Sequence, residues 1–283
     1  MTIRSLTIAI LATPSLGLLL VGCGGGASAT PTITYKAGGD SSDSGGGPVT
    51  KIDGTGTLTG TIKLVGNVPA PEIFVAKGAA KKDTGVCAAD AAIVDEGLLV
   101  GAGNGIANVF VYIEKAPPGA TVPAVPTEAA IFDQKGCVFI PHAMVVRTNQ
   151  TILIKSQDDA AHNTKTDPSR SRPFDSAIPA RETDGVELFY NKHELKPFVV
   201  RCSMHTWMKA YHLALNHPWG TITKVDGSFE LKGLPATTLT LRIWHERAGS
   251  KAGGFLQRSL EVTIPKDGTV SKDLEFKLSD FGL

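Results

Sequence analysis

The stretch Cys202-Ser203-Met204-His205-Thr206-Trp207-Met208 decides how this 283-residue chain is read. Its thiol, imidazole and thioether recur at every third residue, so a tight turn after a strand can aim all three at one point. Pro197-Phe198-Val199-Val200 is the expected strand before it. A fourth donor, His162, stands upstream, after the apolar strand Thr151-Ile152-Leu153-Ile154 and the polar run Ser156-Gln157-Asp158-Asp159-Ala160-Ala161. A trigonal His2Cys set with a weak axial Met suits copper in both oxidation states, thiolate and thioether favouring Cu(I) and imidazole serving both. His162, Cys202, His205 and Met208 are therefore the expected ligands of one copper ion.

Cys and Met are also common core residues, so a strand end packed into a core competes with a metal site. Cysteine parity weighs against that alternative. Of Cys23, Cys87, Cys137 and Cys202, the first is expected to be lipidated, which leaves three in an oxidising compartment, where an odd thiol needs an explanation. A bond between Cys87 and Cys137, inferred from parity alone, would leave Cys202 free, as a copper thiolate must be.

At His162-Asn163, Cys202, His205 and Met208 the chain resembles the cupredoxins, most closely the amicyanin and plastocyanin type, with the shorter, amicyanin-like gap between His205 and Met208. The resemblance implies a Greek-key β-sandwich, a single type 1 copper, and a role for Asn163 in tying the two ligand loops together behind the ligands. It also implies that electrons pass through an exposed imidazole edge of His205, rimmed by Met204, Thr206 and Trp207. A binuclear centre would need a second cysteine in the loop, which is absent here. The oxidases and nitrite reductases that relay electrons to a second copper carry a His beside the type 1 Cys, where this chain has Arg201 and Ser203. A one-electron carrier is thus expected, not an enzyme: no second metal cluster, nucleophile elbow or paired carboxylate motif is found.

Residues 1–22 read as a lipoprotein signal peptide: Arg4, a mostly apolar run from Ser5 to Leu20, and the lipobox Leu20-Val21-Gly22-Cys23. The run is short for a membrane span and contains Pro14. Acyl chains on Cys23 would anchor the protein to a bilayer in a bacterial envelope, and Gly24 after the cysteine favours the outer membrane. Residues 23–54, rich in Gly and Ser, are expected to be a flexible tether with a reach on the order of 30 Å. Net charge is +1, and no basic cluster with interleaved aromatics points to nucleic acid.

The body reads as all-β, with strands such as Thr57–Val65, Asn108–Ile113 and Val186–Tyr190 punctuated by Gly and Pro. The Ala-rich run 76–92 is the one candidate short helix. The division is drawn at residue 216, with a cupredoxin-like domain over 55–215 and a smaller unit over 216–283. In the latter, Thr221–Leu231 reads as a hairpin turning at Asp226-Gly227. With Gly233-Leu234-Pro235 and the strand Thr238–Trp244, it resembles the carboxypeptidase regulatory-like, transthyretin-type sandwich. His142, following Cys137, reads as a structural residue, and His193 as a turn residue. His212, His217 and His245 are expected to be ordinary polar residues, with lining of the domain interface or tuning of the copper edge as the alternatives. The expected partners are transient redox proteins and the lipid bilayer. Two other functions remain in view: envelope copper binding or delivery, and a non-metal binding module, for carbohydrate or protein, built on the C-terminal sandwich.

Overall fold

The computed structural model describes residues 50–249 and 253–283. The signal peptide, Cys23 and most of the expected tether lie outside them. The chain runs through β1 (Thr55–Val65), β2 (Ile73–Val75), β3 (Ile93–Val94) and β4 (Phe110–Ile113). A contiguous block follows: β5 (Ala130–Lys135), β6 (Val138–Ile140), β7 (Ala143–Arg147), β8 (Ile152–Ile154), β9 (His162–Thr166), β10 (Phe174–Ile178), β11 (Val186–Leu188), β12 (Phe198–Arg201) and β13 (Lys209–Leu215). The chain ends with β14 (Gly220–Ile222), β15 (Ser228–Pro235), β16 (Thr238–Trp244), β17 (Phe255–Thr263), β18 (Thr269–Ser271) and β19 (Leu274–Lys277). The protein is all-β, and among the described residues helix is confined to short 3-10 segments. The run 76–92 forms turns, strand β2 ending before it, because Gly78, Asp83 and Ala88 take positive φ, which a right-handed helix excludes.

Four sheets stack as two sandwiches. The sheet ordered β11-β8-β5-β6 faces the one ordered β10-β9-β12-β13-β7. Phe132, Ile152 and Ile154 from the first and Val146, Val200 and Ala214 from the second share one core. The other sandwich sets β14-β4-β16-β17 against β15-β1-β18, with β19 also on β1. Its core joins Val111, Leu241 and Ile243 to Leu58, Ile62 and Leu231. A third cluster, of Phe110, Tyr112, Ala143, Leu213, Leu215 and Trp244, packs the two sandwiches together.

That stacking explains the sequence patterns. All four residues of β4 are buried because Val111 and Ile113 face one core while Phe110 and Tyr112 face the next. Each such side chain contributes roughly 1.5–3 kcal/mol relative to an exposed one. The alternating burial of β1 instead marks a strand with one buried face.

The sheets do not divide at residue 216. β1 and β4, which precede it, pair with β15, β18 and β19 and with β14 and β16, which follow it. The sandwich carrying the Cys202–Met208 loop is the contiguous β5–β13, and the other is closed by the first strands of the body. Alternation in β1 says which face is buried, but nothing about a partner some two hundred residues away, such as Leu274 opposite Ile62.

The turn at Asp226-Gly227 forms, with Gly227 at φ 79 and its N–H donating to the Lys224 carbonyl at 2.8 Å. Its flanking strands, however, enter different sheets, β14 beside β4 and β15 beside β1. The Lys224 N–H also donates to the Ser228 carbonyl at 2.9 Å, so the chain closes as a hairpin end does, and its strands then part to make a corner between the layers of a sandwich. A side chain at Gly227 would meet the Ile62 carbonyl at 2.3 Å, so that close approach requires glycine.

Candidate metal centre

β12 ends at Arg201, one residue before Cys202, and β9 begins at His162. These strands are antiparallel neighbours, Arg201 opposite Lys165, so the sheet itself brings both sequence segments to one end of the sandwich. Within the loop, the Cys202 N–H donates to the Met208 carbonyl at 3.3 Å and the Met208 N–H to the His205 carbonyl at 2.9 Å. Those bonds curl the loop and turn its every-third-residue spacing inward.

The Nδ1 atoms of His162 and His205 lie 3.0 Å apart, and the Cys202 Sγ is 3.8 Å from the His205 Nδ1. All three donor atoms fall within 4.8 Å of one another. His162 and His205 are fully buried, Cys202 is 2% exposed, and Met208 lies buried in the same core cluster as Cys202. Asn163 bridges the His162 and Cys202 segments: its Oδ1 accepts from the Ser203 N–H at 2.6 Å, and its own N–H donates to the Cys202 Sγ at 3.5 Å. Its amide nitrogen also donates to Asp175 Oδ1 at 2.9 Å.

Cys87 and Cys137 form a disulfide, and Cys202 is a free, buried thiol. Burial alone would push that thiol up, but hydrogen bonding with His162, the Asn163 N–H and His205 brings it down to about 6. The thiolate therefore exists at neutral pH. For His162, burial works downward, and the bonds to Asp158 and Cys202 overcome it and carry the imidazole up to about 9. A deprotonated sulfur and two imidazole nitrogens converging in a buried space form a donor set that fits copper.

Two carboxylates found by the structure alone stand behind the imidazoles. Asp158 Oδ2 meets the His162 Nε2 at 2.9 Å, and Asp83 Oδ2 meets the His205 Nε2 at 2.8 Å. Asp83 precedes His205 by 122 positions, and no sequence pattern connects them.

The expectation of an exposed His205 edge is corrected. The turns around Asp83 cover it and leave it fully buried. The loop's surface is made by Met204, 37% exposed, Thr206, also exposed, and the partly exposed Trp207, whose ring centroid lies 5.3 Å from that of His205. Met204 and Trp207 line a surface pocket of about 310 Å³ with Phe74, Ala79, Lys81 and Lys82.

The remaining histidines are placed by packing. His142 is buried against Glu246 and lies 3.3 Å from Glu96. Burial lowers its affinity for a proton, but the two carboxylates win and raise it to about 9. His193 sits, partly buried, in the segment between β11 and β12. His212, His217 and His245 are buried, each at most 1% exposed. His212 points from β13 into the first core, where its Nδ1 pairs with the Tyr190 hydroxyl at 2.8 Å.

No family model and no curated protein matches this sequence. Among solved structures the chain is similar to the purple cupredoxin from Nitrosopumilus maritimus, at 14% identity over 30% of this chain and 98% of that one, with a TM-score of 0.26. A reduced amicyanin mutant aligns at 14% identity over 33% of this chain and 96% of that one, TM-score 0.26. The copper-containing nitrite reductase NirK from Thermus scotoductus SA-01 aligns at 18% identity over 33% of this chain, TM-score 0.28, and only 25% of its own length is covered. At such scores the similarity carries no functional argument.

Proposed function

We propose that this is a lipid-anchored type 1 copper protein of the bacterial cell envelope that carries single electrons. The observation that carries this reading is the buried convergence of His162 Nδ1, His205 Nδ1 and the free Cys202 Sγ, with the other two described cysteines locked in a disulfide. Copper bound there supplies one-electron cycling between Cu(II) and Cu(I). His162, Cys202 and His205 would hold it, and Met208, on the same loop, would be the axial donor. Asn163 holds the two ligand segments in register and donates to the sulfur, which helps keep the site's shape constant between states.

With His205 covered, partners are expected to meet Met204, Thr206 and Trp207 and the pocket edged by Lys81 and Lys82. A small apolar patch with basic flanks suits brief encounters with acidic-rimmed redox proteins. Cys23, through its acyl chains, would hold the protein at the outer membrane, and the Gly-rich tether would give it reach. The burial of His205 favours one second reading, an envelope copper-binding or delivery protein, since a covered edge slows electron exchange.

Met208→Leu replaces the axial thioether, one of the groups that tune the copper potential, with an alkyl side chain that offers no electron pair. The variant is expected to keep a coloured site and to show a shifted reduction potential by voltammetry of the copper-loaded protein. An unchanged potential would remove Met208 from the ligand set. Reversible voltammetry of the wild type supports the carrier, and copper that binds without electron exchange supports delivery.

A further inference from the structure

Cys137 joins everything that backs the two imidazoles. It sits with Gly136 at the tip of the β5–β6 hairpin, both at positive φ (62° and 63°), as a two-residue primed turn requires. That turn aims two N–H groups at one carboxylate: Gly136 donates to Asp158 Oδ1 at 2.6 Å and Cys137 to Asp158 Oδ2 at 2.9 Å. Asp158, 4% exposed, passes the constraint to His162 Nε2. On its other side, Cys137 is disulfide-bonded to Cys87, whose N–H donates to the Asp83 carbonyl at 2.8 Å. Asp83 stands in the left-handed region at φ 51, which an Asp tolerates better than most residues, and its side chain reaches His205 Nε2. The Cys137 carbonyl also accepts from Trp207 Nε1 at 3.0 Å, tying in the ligand loop itself.

We propose that Asp83 and Asp158 are positioning residues for the copper site, each holding one imidazole by Nε2 so that Nδ1 faces the metal, and that the Cys87–Cys137 disulfide clamps the two carboxylates together. This rests on the copper reading above. A carboxylate behind a ligating imidazole fixes its tautomer and orientation and makes it a stronger donor, and losing such a partner weakens metal binding about 10–100-fold. The negative charges also favour Cu(II) over Cu(I). Two oriented imidazoles, backed from loops that a disulfide joins across 50 positions of sequence, give the site a shape before metal arrives.

The test has a metal-free arm and a copper arm. In the metal-free protein, long-range 1H–15N spectra should show hydrogen-bonded, slowly exchanging Nε2 protons on both His162 and His205. Asp83→Ala should lose the His205 signal and keep that of His162. In the copper arm, competition with a Cu(II) chelator should show binding weakened about 10–100-fold in Asp83→Ala and less in Asp83→Asn, which keeps an acceptor oxygen, with a raised reduction potential in both. The double variant Cys87→Ala with Cys137→Ala should broaden both histidine signals; should it fail to fold, the Asp83 variants decide alone. Unchanged Nε2 protons in Asp83→Ala, or a copper affinity and potential equal to wild type, would overturn the proposal. A wild type that binds no copper but shows the expected Nε2 protons would contradict the copper reading, a failure distinct from that of the clamp.

Discussion

Taking the metal-free protein from pH 7 to pH 5 is expected to lower its unfolding free energy by about 5 kcal/mol. Three imidazoles are held neutral by burial: His212 is brought down to about 3, and His217 and His245 to about 4. The unfolded chain takes up those protons near pH 6.5. Below that value the unfolded state binds protons that the folded state refuses, so stability falls as pH falls until the folded values near 3–4 are reached. Together the three remove about 6 kcal/mol by pH 5. His142 and His162 work the other way, since raised imidazoles contribute stability that is complete below pH 6.5 and lost as pH rises towards 9. On acidification they return about 1–2 kcal/mol, while the Cys202 thiol, held down to about 6 in the fold, removes about 1 kcal/mol as it takes up its proton. Between pH 6 and pH 4 the slope approaches about 4 kcal/mol per pH unit, against a total stability of roughly 5–15 kcal/mol for a domain. Urea unfolding at pH 7, 6 and 5 measures it, and His212→Gln should remove about a third of the slope. A curve flat over that range would mean that these imidazoles are not held neutral.

Removing the disulfide is the second large effect. Cys87 and Cys137 are 50 residues apart, and closing such a loop restricts the unfolded chain by about 4 kcal/mol in the chain-entropy model. The staple matters more because the segment it holds is poor in regular structure: between β2 and β3 the chain is made of turns, some at positive φ. Cys87→Ser with Cys137→Ser is expected to lower stability by about 4 kcal/mol in urea at pH 7, with most of the lost order in residues 76–92. Hydrogen exchange by segment would show it. Equal stability of the oxidised and reduced wild type would contradict the estimate and with it the view of this loop as covalently held.

Much of the fold is legible locally. The strands of Thr55–Val65, Ile152–Ile154, Val186–Leu188 and Phe198–Arg201 fall where alternation and β-branched runs put them, because burial on one or both faces leaves its period in the sequence. Which strands pair is not written in that period. β1 closes a sheet with β15, β18 and β19, and the corner at Asp226-Gly227 has the chemistry of a hairpin turn while its strands part company. Of the site, the residues with distinctive chemistry, His162, Cys202, His205 and Met208, stand out by type and spacing. Asp83 and Asp158 do not, since an aspartate in a polar loop looks like a solvated one until the fold sets it against an imidazole. His212 is obscured for a related reason: it shares with Ala210 and Ala214 the face of β13 turned to the core, and the sequence of that strand does not say which face that is.

The most direct measurement of the central claim is the visible absorption spectrum of the soluble protein, from the residue after Cys23 onward, titrated with Cu(II) without reductant. An intense thiolate-to-copper band is expected, saturating at one copper per protein and vanishing in Cys202→Ser. A folded β protein that develops no such band, or a band that survives Cys202→Ser, would contradict it.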